Sequence, residues 1–346
     1  MTRLERKIAH AFNVPRALYT ANGTSALYLC FLRAKILGKN KIALPSIICP
    51  QVVSAALKAG LKIYFCEPNF KDYNSDFKAI KALYKKEKFD ILLVAHLYGH
   101  LCDERVFDFA KTHKILLIED SAQTYKVNPK SDFSVLSFGH TKFLSNAGGG
   151  GCIVSFKHNL SPLKALNKEL LPRPFNLNEL FDEYKKTYYA LNPLDKNYLN
   201  ELKNLFLKYC FIFKDERKNE ILSAKLTSLY KISKQRKQKA KLYQKLLKHK
   251  LIKQPEIQKG SIAWRYTFRM KNFRDELLQT LRAKGIDCSS WYMNNEKIFG
   301  FKISPKSARL EKEIVNLWCD ESISKKQIKQ NIKIILAIIS QFKGQK

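Results

Sequence analysis

The chain has 346 residues, a length that suits two domains, and 45% of them are apolar, enough for full cores rather than a disordered chain. Lysine and arginine number 63 against 30 acids, a net charge of +33 that brings nucleic acid, anionic lipid and anionic small molecules into view as partners. No run approaches eighteen apolar residues, which excludes a spanning helix, and the opening MTRLERKIAHAF lacks the apolar core of a secretory signal.

The charge is spread rather than clustered. Residues 1–150 hold 22 bases and 12 acids, net +10, and the remainder holds 41 and 18, net +23. The densest run, KISKQRKQKAKLYQKLLKHK at 231–250, carries a helical apolar stripe through Leu229, Tyr243, Leu246 and Leu247. It reads as the solvated face of a helix before it reads as a docking surface for nucleic acid or anionic lipid. Basic residues interleaved with stacking aromatics at one place are missing, which weighs against nucleic acid. A positive field also draws in an anionic substrate such as a nucleotide-linked sugar. The eight cysteines are scattered without a CxxC and mostly sit in apolar runs, as free thiols of a cytoplasmic protein do.

In chain order, ANGTSALYLC at 21–30 comes first. A glycine and two hydroxyl residues open an apolar helical run, and a helix start presents free amides and a positive dipole end, a cradle for phosphate. Serine and threonine are also ordinary helix caps. Short β-rich runs follow at Lys41–Leu44, Leu61–Glu67, Asp90–His96, Ile115–Glu119, Phe133–Phe138 and Cys152–Phe156. Between them, Gln51–Gly60, Phe77–Lys88 and Arg105–Lys114 read as helices. Alternation of this kind predicts an α/β protein with a mostly parallel, doubly wound sheet whose binding crevice lies beyond the carboxyl ends of the strands.

Three groups fall at such strand ends. HLYGHLCD at 96–103 offers His96, His100 and Cys102, residue types that suit a metal, but no second Cys/His pair follows at zinc spacing. ILLIEDSAQ at 115–123 ends a buried strand in two carboxylates, and Asp120 suits either a cationic ring nitrogen or a helix cap. VLSFGHTKFLSNAGGGG at 135–151 delivers Ser137, then Lys142, then four glycines. A lysine just past a buried strand can be desolvated into a nucleophile, or can simply lie on the surface before a hairpin.

Residues 157–213 differ, with four prolines and aromatic-rich helical stretches. LFLKYCFIF at 205–213 reads as a core or subunit-interface helix in preference to a membrane-surface patch. A long helix is predicted from about 219 to 250. Then come a strand at 262–270, a helix at 274–285, a strand at 287–292 and a closing amphipathic helix at 325–339. The expected division is a large domain, 1–218, and a long helix with a smaller C-terminal α+β domain, 219–346.

A phosphate cradle, an acid for a pyridinium nitrogen and an amine for an aldehyde are together what pyridoxal 5′-phosphate (PLP) requires of a protein. Here the sequence resembles the DegT/DnrJ/EryC1/StrS sugar aminotransferases of the aspartate aminotransferase-like, PLP-dependent transferase fold. The resemblance runs over residues 17–156 and, more weakly, 217–340. Its motifs stand as Asn22-Gly23-Thr24-Ser25-Ala26-Leu27, His96-Leu97-Tyr98-Gly99, Ile118-Glu119-Asp120-Ser121-Ala122-Gln123 and Ser137-Phe138-Gly139-His140-Thr141-Lys142. It implies that Gly23, Thr24, Ser25 and Ser137 hold the phosphate and that Asp120 pairs with the ring nitrogen. It further implies that Gln123 meets the ring hydroxyl and that Lys142 bonds the cofactor and moves the proton. It implies a cytoplasmic homodimer with shared active sites that aminates a nucleotide-linked keto sugar from a donor such as glutamate, for surface polysaccharide synthesis. Another amine or keto substrate, or a PLP-fold regulator that binds nucleic acid, are the other readings.

The chain departs from the family in its substrate half. Pro45-Ser46-Ile47-Ile48-Cys49-Pro50 has no aromatic residue to cover the ring, and Gly148 stands where an acid is usual. Asp215, within Phe213–Arg217, replaces the asparagine expected to reach the partner's cofactor, and Trp291 replaces a histidine.

Overall fold

The computed structural model describes residues 1–144, 149–215 and 219–342. Gly148, Arg217 and the expected domain boundary at 218 lie outside the described residues. The chain opens with α1 (Arg3–Phe12), β1 (Ala17–Thr20) and α2 (Gly23–Ile36). It continues as β2 (Lys41–Pro45), α3 (Pro50–Lys58), β3 (Lys62–Cys66), α4 (Phe77–Glu87), β4 (Ile91–Ala95), α5 (Arg105–Thr112), β5 (Leu116–Asp120), β6 (Phe133–Ser137) and β7 (Gly151–Val154). These strands form one sheet in the order β1-β7-β6-β5-β4-β2-β3. Its five-strand block from β6 to β3 is parallel, and β7 runs antiparallel between β1 and β6.

The runs form strands because both faces are covered: β4 is buried along its whole length, and so are Leu116–Glu119 of β5. Register then brings the chemistry to one edge. Ala95 of β4 pairs with Asp120 of β5, and Asp120 pairs with Val135 of β6. Ser137 of β6 and Thr20 of β1 both pair with Gly151 of β7. The carboxyl ends therefore carry Asp120 and Ser137 side by side beneath the start of α2.

After β7 come α6 (Ser161–Glu169), α7 (Leu177–Ala190) and α8 (Tyr198–Lys208), then α9 (Glu220–Lys225) and α10 (Leu229–Leu246). The C-terminal part holds β8 (Ile252–Lys253), β9 (Tyr266–Met270), α11 (Arg274–Ala283), β10 (Cys288–Ser289), α12 (Asn295–Ile298), α13 (Pro305–Glu313), β11 (Ile314–Leu317) and α14 (Lys325–Gln341). Its four strands form an antiparallel sheet, β10-β11-β9-β8, packed with α10, α11 and α14 around Phe268, Leu277, Ile328 and Ile335. This is the α/β architecture with a smaller α+β part that the alternation predicts. Among the described residues no helix is long and apolar enough to cross a membrane. All eight cysteines are free, and seven are buried.

Several elements differ from expectation. The four-residue β1 carries too short an apolar pattern to read as a strand. The helix expected from 219 to 250 is two helices joined by a tight turn at Leu226–Ser228. The 205–213 helix stops at Lys208, and Cys210–Phe213 runs without helix, because its backbone binds side chains of α2. The strand at 287–292 shortens to Cys288–Ser289. Residues 262–264 leave the small sheet to bond the large one: the amides of Ile262 and Trp264 donate to the carbonyls of Gly99 and Tyr98 at 3.0 and 2.9 Å.

That seam fixes Gly99. It has φ +87°, and a Cβ there would stand 1.7 Å from the Ile262 carbonyl oxygen. Gly99→Ala is expected to lose at least ~2 kcal/mol of stability, through clash and backbone strain together. Gly300→Ala, at φ +77° with no atom within 4 Å, should lose only about 1 kcal/mol. Urea titration of both variants checks the contrast, and equal losses would contradict it.

Candidate active site

A cavity of about 170 Å³ opens where the parallel strands end, against the ~10–15 Å³ one water needs. Gly23, Thr24, Asp120, Gln123, Ser137 and Lys142 all line it. Six of the seven residues singled out in the sequence thus meet at one place. Ser25 does not: its buried hydroxyl donates to the Phe213 carbonyl and accepts from the Phe213 amide, both at 3.1 Å. Its role is to anchor the 209–215 segment, which leaves it no free donor for a phosphate.

The start of α2 is built by its cap. Asn22 Oδ1 accepts from the Ser25 amide at 2.7 Å, which holds the first turn open toward the cavity. Glycine is needed next. A Cβ at Gly23 would lie 3.0 Å from Ser137 Cβ and 3.1 Å from its Oγ, so only a bare backbone lets the helix start and the end of β6 share one cradle. Thr24 and Ser137 place two hydroxyls beside a positive dipole end, an arrangement for a dianion.

Asp120 and Lys142 face the same space. Burial pushes the Asp120 carboxyl up, with the Ala122 amide at 3.0 Å and the Lys142 charge pulling it partly back. Burial likewise holds Lys142 below the usual lysine range, offset in part by Cys49 and Asp120. Lys142 Nζ sits 5.2 Å over the Trp264 ring. On another side of that ring lies the Arg265 guanidinium, 4.2 Å from Trp264 and 3.6 Å from Trp318, and its charge lowers Lys142 further. Trp264 itself is pinned by its Nε1, which donates to the Thr141 carbonyl at 2.6 Å.

The two carboxylates of β5 divide their work. Glu119 is fully buried and accepts from His96 Nε2 at 2.8 Å, the Asn128 amide, Ser131 and Ser134. His96 Nδ1 accepts from the Cys102 amide at 3.1 Å, so the ring's proton sits on Nε2 and goes to Glu119. His100 bonds Thr267 instead, and burial pushes it down to about 4. Among the described residues no three His, Cys, Asp or Glu side chains gather as metal ligands.

Gln123 is engaged at both ends. Its Oε1 accepts from the Tyr98 amide at 2.5 Å and its Nε2 donates to the Tyr292 hydroxyl at 2.6 Å, leaving one Nε2 hydrogen for a ligand. Tyr98 has a left-handed backbone, φ 58°, which this bond and its own hydroxyl's bond to the Trp291 carbonyl hold in place.

Three wall residues escaped the sequence reading. Cys49 and Gln51 follow β2 and lack a motif, and Tyr292 arrives from the far end of the chain. Gln51 Oε1 is buried without a hydrogen-bond partner, an acceptor left for a ligand. Tyr292 and His96 are the aromatic groups of the wall, while the segment Pro45–Pro50 contributes the aliphatic Ile48 and the thiol of Cys49.

The pattern of the DegT/DnrJ/EryC1/StrS aminotransferase family matches residues 1–164 and 215–335, and the chain belongs to that family of aminotransferases. Among relatives, GDP-perosamine synthase of Escherichia coli O157:H7 is 27% identical over 45% of this chain and 44% of its own length. A pleiotropic regulatory protein of Geobacillus stearothermophilus is 25% identical over 91% of this chain and 82% of its own. The dTDP-3-amino-3,6-dideoxy-alpha-D-galactopyranose transaminase of Aneurinibacillus thermoaerophilus is 24% identical, over 96% and 88%. The fold is that of solved aminotransferases: Helicobacter pylori PseC superposes with a TM-score of 0.77, at 18% identity over 96% of this chain and 89% of that one.

The charges around Lys142 make a titration test. Asp120 supports the ammonium, so Asp120→Asn should move the Lys142 pKa still lower, while Arg265→Gln should move it up. Amine labelling of Lys142 followed against pH reads both shifts, and the two variants moving together would overturn the assignment.

Proposed function

We propose that the protein is a PLP-dependent aminotransferase that moves an amino group, from a donor such as glutamate, onto a nucleotide-linked keto sugar for surface polysaccharide synthesis. The observation that carries this reading is the pairing, in one cavity, of a lysine held below its usual range and a carboxyl held above its own. Both shifts stem from charges taken out of water without full compensation. A protonated pyridine nitrogen would supply the counter-charge Asp120 lacks, and bonding an aldehyde would remove the charge burial disfavours on Lys142. Thr24, Ser137 and the start of α2 fit the phosphate, and the spare Nε2 hydrogen of Gln123 fits the ring hydroxyl.

When bound, the cofactor supplies an electron sink for the amine-bearing carbon. The chain's own groups do the rest. Asp120 holds the proton at the ring nitrogen. Lys142 Nζ, lowered toward neutrality, takes the proton from the amine-bearing carbon and returns it on the other side of the exchange. The buried phenol of Tyr292, pushed far up by burial, stays protonated and keeps Gln123 in position. A regulator without chemistry has no use for a lysine desolvated in this way.

The relatives named for GDP- and dTDP-linked sugars support the substrate class. Exposed apolar side chains at Leu171, Phe175 and Leu194 support a homodimer, with the site at or near its interface. The free thiols support a cytoplasmic setting.

Purified protein is expected to show a visible cofactor band, and borohydride is expected to trap a phosphopyridoxyl group on Lys142. Lys142→Ala should lose both and lower transamination by ~10³-fold or more, whereas Asp120→Asn should keep the trapped group and lose about 10²-fold in kcat. Wild-type protein with no trapped group on Lys142 would overturn the reading. A panel of nucleotide keto sugars with glutamate tests the substrate.

A further inference from the structure

A second cavity, about 690 Å³, adjoins the first. The two share the walls Asn22, Thr24 and Gln51, so a molecule reacting at Lys142 can extend into it. Its outer wall comes from Arg173, Phe181, Tyr184, Tyr209 and Phe211. All five lie in residues 165–214, the stretch that the family pattern leaves unmatched. The family pattern therefore does not dictate the side chains that build this wall.

Its chemistry is specific. Phe181 and Tyr184 lie with ring centroids 6.0 Å apart at 29°, and Tyr209 closes on Tyr184 at 5.6 Å, which offers flat faces to a planar ring. Arg173 is the cation of the wall, a quarter exposed, 3.6 Å from Asp215 and 6.0 Å from the Phe213 ring. Among the described residues no carboxylate lines the space, and Gln51 Oε1 is a buried acceptor without a donor at the passage between the cavities. Aromatic faces beside one guanidinium, with an acceptor at the neck, match a base, a pyrophosphate and a sugar hydroxyl in that order.

Resting on the nucleotide-sugar reading above, we propose that residues 165–214 build the seat of the substrate's nucleoside diphosphate. The base stacks against Phe181 and Tyr184, the pyrophosphate meets Arg173, and the sugar passes Gln51 to reach Lys142. The segment is held to the start of α2 by three hydrogen bonds. Asn22 Nδ2 donates to the Phe211 carbonyl at 3.1 Å, and Ser25 exchanges bonds with Phe213.

Calorimetric titration of the full-length, PLP-loaded protein with UDP, GDP and dTDP tests this. At least one should bind, and Arg173→Gln and Phe181→Ala should each weaken it about tenfold, with Arg173→Lys falling between Arg173→Gln and wild type. Should one variant fail to fold, judged by its melting transition, the other carries the test. A loaded protein that binds none of the three, or binds them equally in both variants, overturns the proposal. Borohydride trapping on Lys142 is run on the same sample. Failure there sinks the transamination reading, while the titration still reports on the cavity.

Discussion

A partly buried amine without an ion-pair partner is the constraint around which the candidate site is built. Burying an ammonium is costly unless a counter-charge compensates. Among the described residues Lys142 has none at bonding distance: Asp120 acts on it through space, Arg265 opposes it, and an indole face lies beneath it. The protein thereby holds Lys142 below the usual lysine range, shifted toward the neutral form in which nitrogen is a nucleophile and a base. Asp120 is held in the mirror condition, a carboxyl short of positive charge. Each group is destabilised alone; under the proposed function a cationic ring nitrogen would relieve Asp120, and bonding an aldehyde would relieve Lys142.

Positions are held from behind the reacting groups. Glu119 and Asp120 are neighbours on β5, so their side chains take opposite faces of the sheet. Glu119, on the covered face, spends its oxygens on His96, Asn128, Ser131 and Ser134, and so ties β4, β6 and the loop between β5 and β6 together. Asp120, on the open face, keeps an oxygen for chemistry. Gln123 repeats the device one turn later: Tyr98, on the loop after β4, and Tyr292, from the C-terminal part, meet on its two ends. The active site is therefore also a joint between the two sheets. The second tie lies at Tyr98–Gly99, where the amides of Ile262 and Trp264 dock.

What the sequence shows and what it hides follow from this layout. Parallel strands covered on both faces are continuous apolar runs, so β2 to β7 were readable to within a residue or two. Candidates at their carboxyl ends were legible as well, because parallel strands bring their ends to one edge, where Asp120 pairs with Val135, two residues before Ser137. Contacts between remote segments were not. Tyr292, Trp264 and Arg265 reach Lys142 across more than a hundred residues of chain, and nothing local marks them. Ser25 misled for the same reason: beside Thr24 its hydroxyl looks free, and only Phe213, 188 residues away, shows it is taken. The 205–213 run was misread because apolar pattern cannot reveal a backbone pulled out of helix by Asn22 and Ser25.

The departures from the family then acquire a physical pattern. The part that aligns holds the groups whose geometry the chemistry fixes, on strands and on one helix start. The part that the family pattern leaves unmatched, 165–214, is tied to the start of α2 through main-chain atoms of Phe211 and Phe213. Backbone contacts tolerate changes of side chain, so this segment can alter its rings and charges without moving Asn22, Ser25 or the cradle they support. A column of rings runs from Phe181 through Tyr184 and Tyr188 to Trp291, which stacks on Tyr188 at 6.1 Å and 18°. Trp291 and Tyr188 are thus one feature seen from two ends of the sequence: Trp291 is a support on which the 165–214 segment leans.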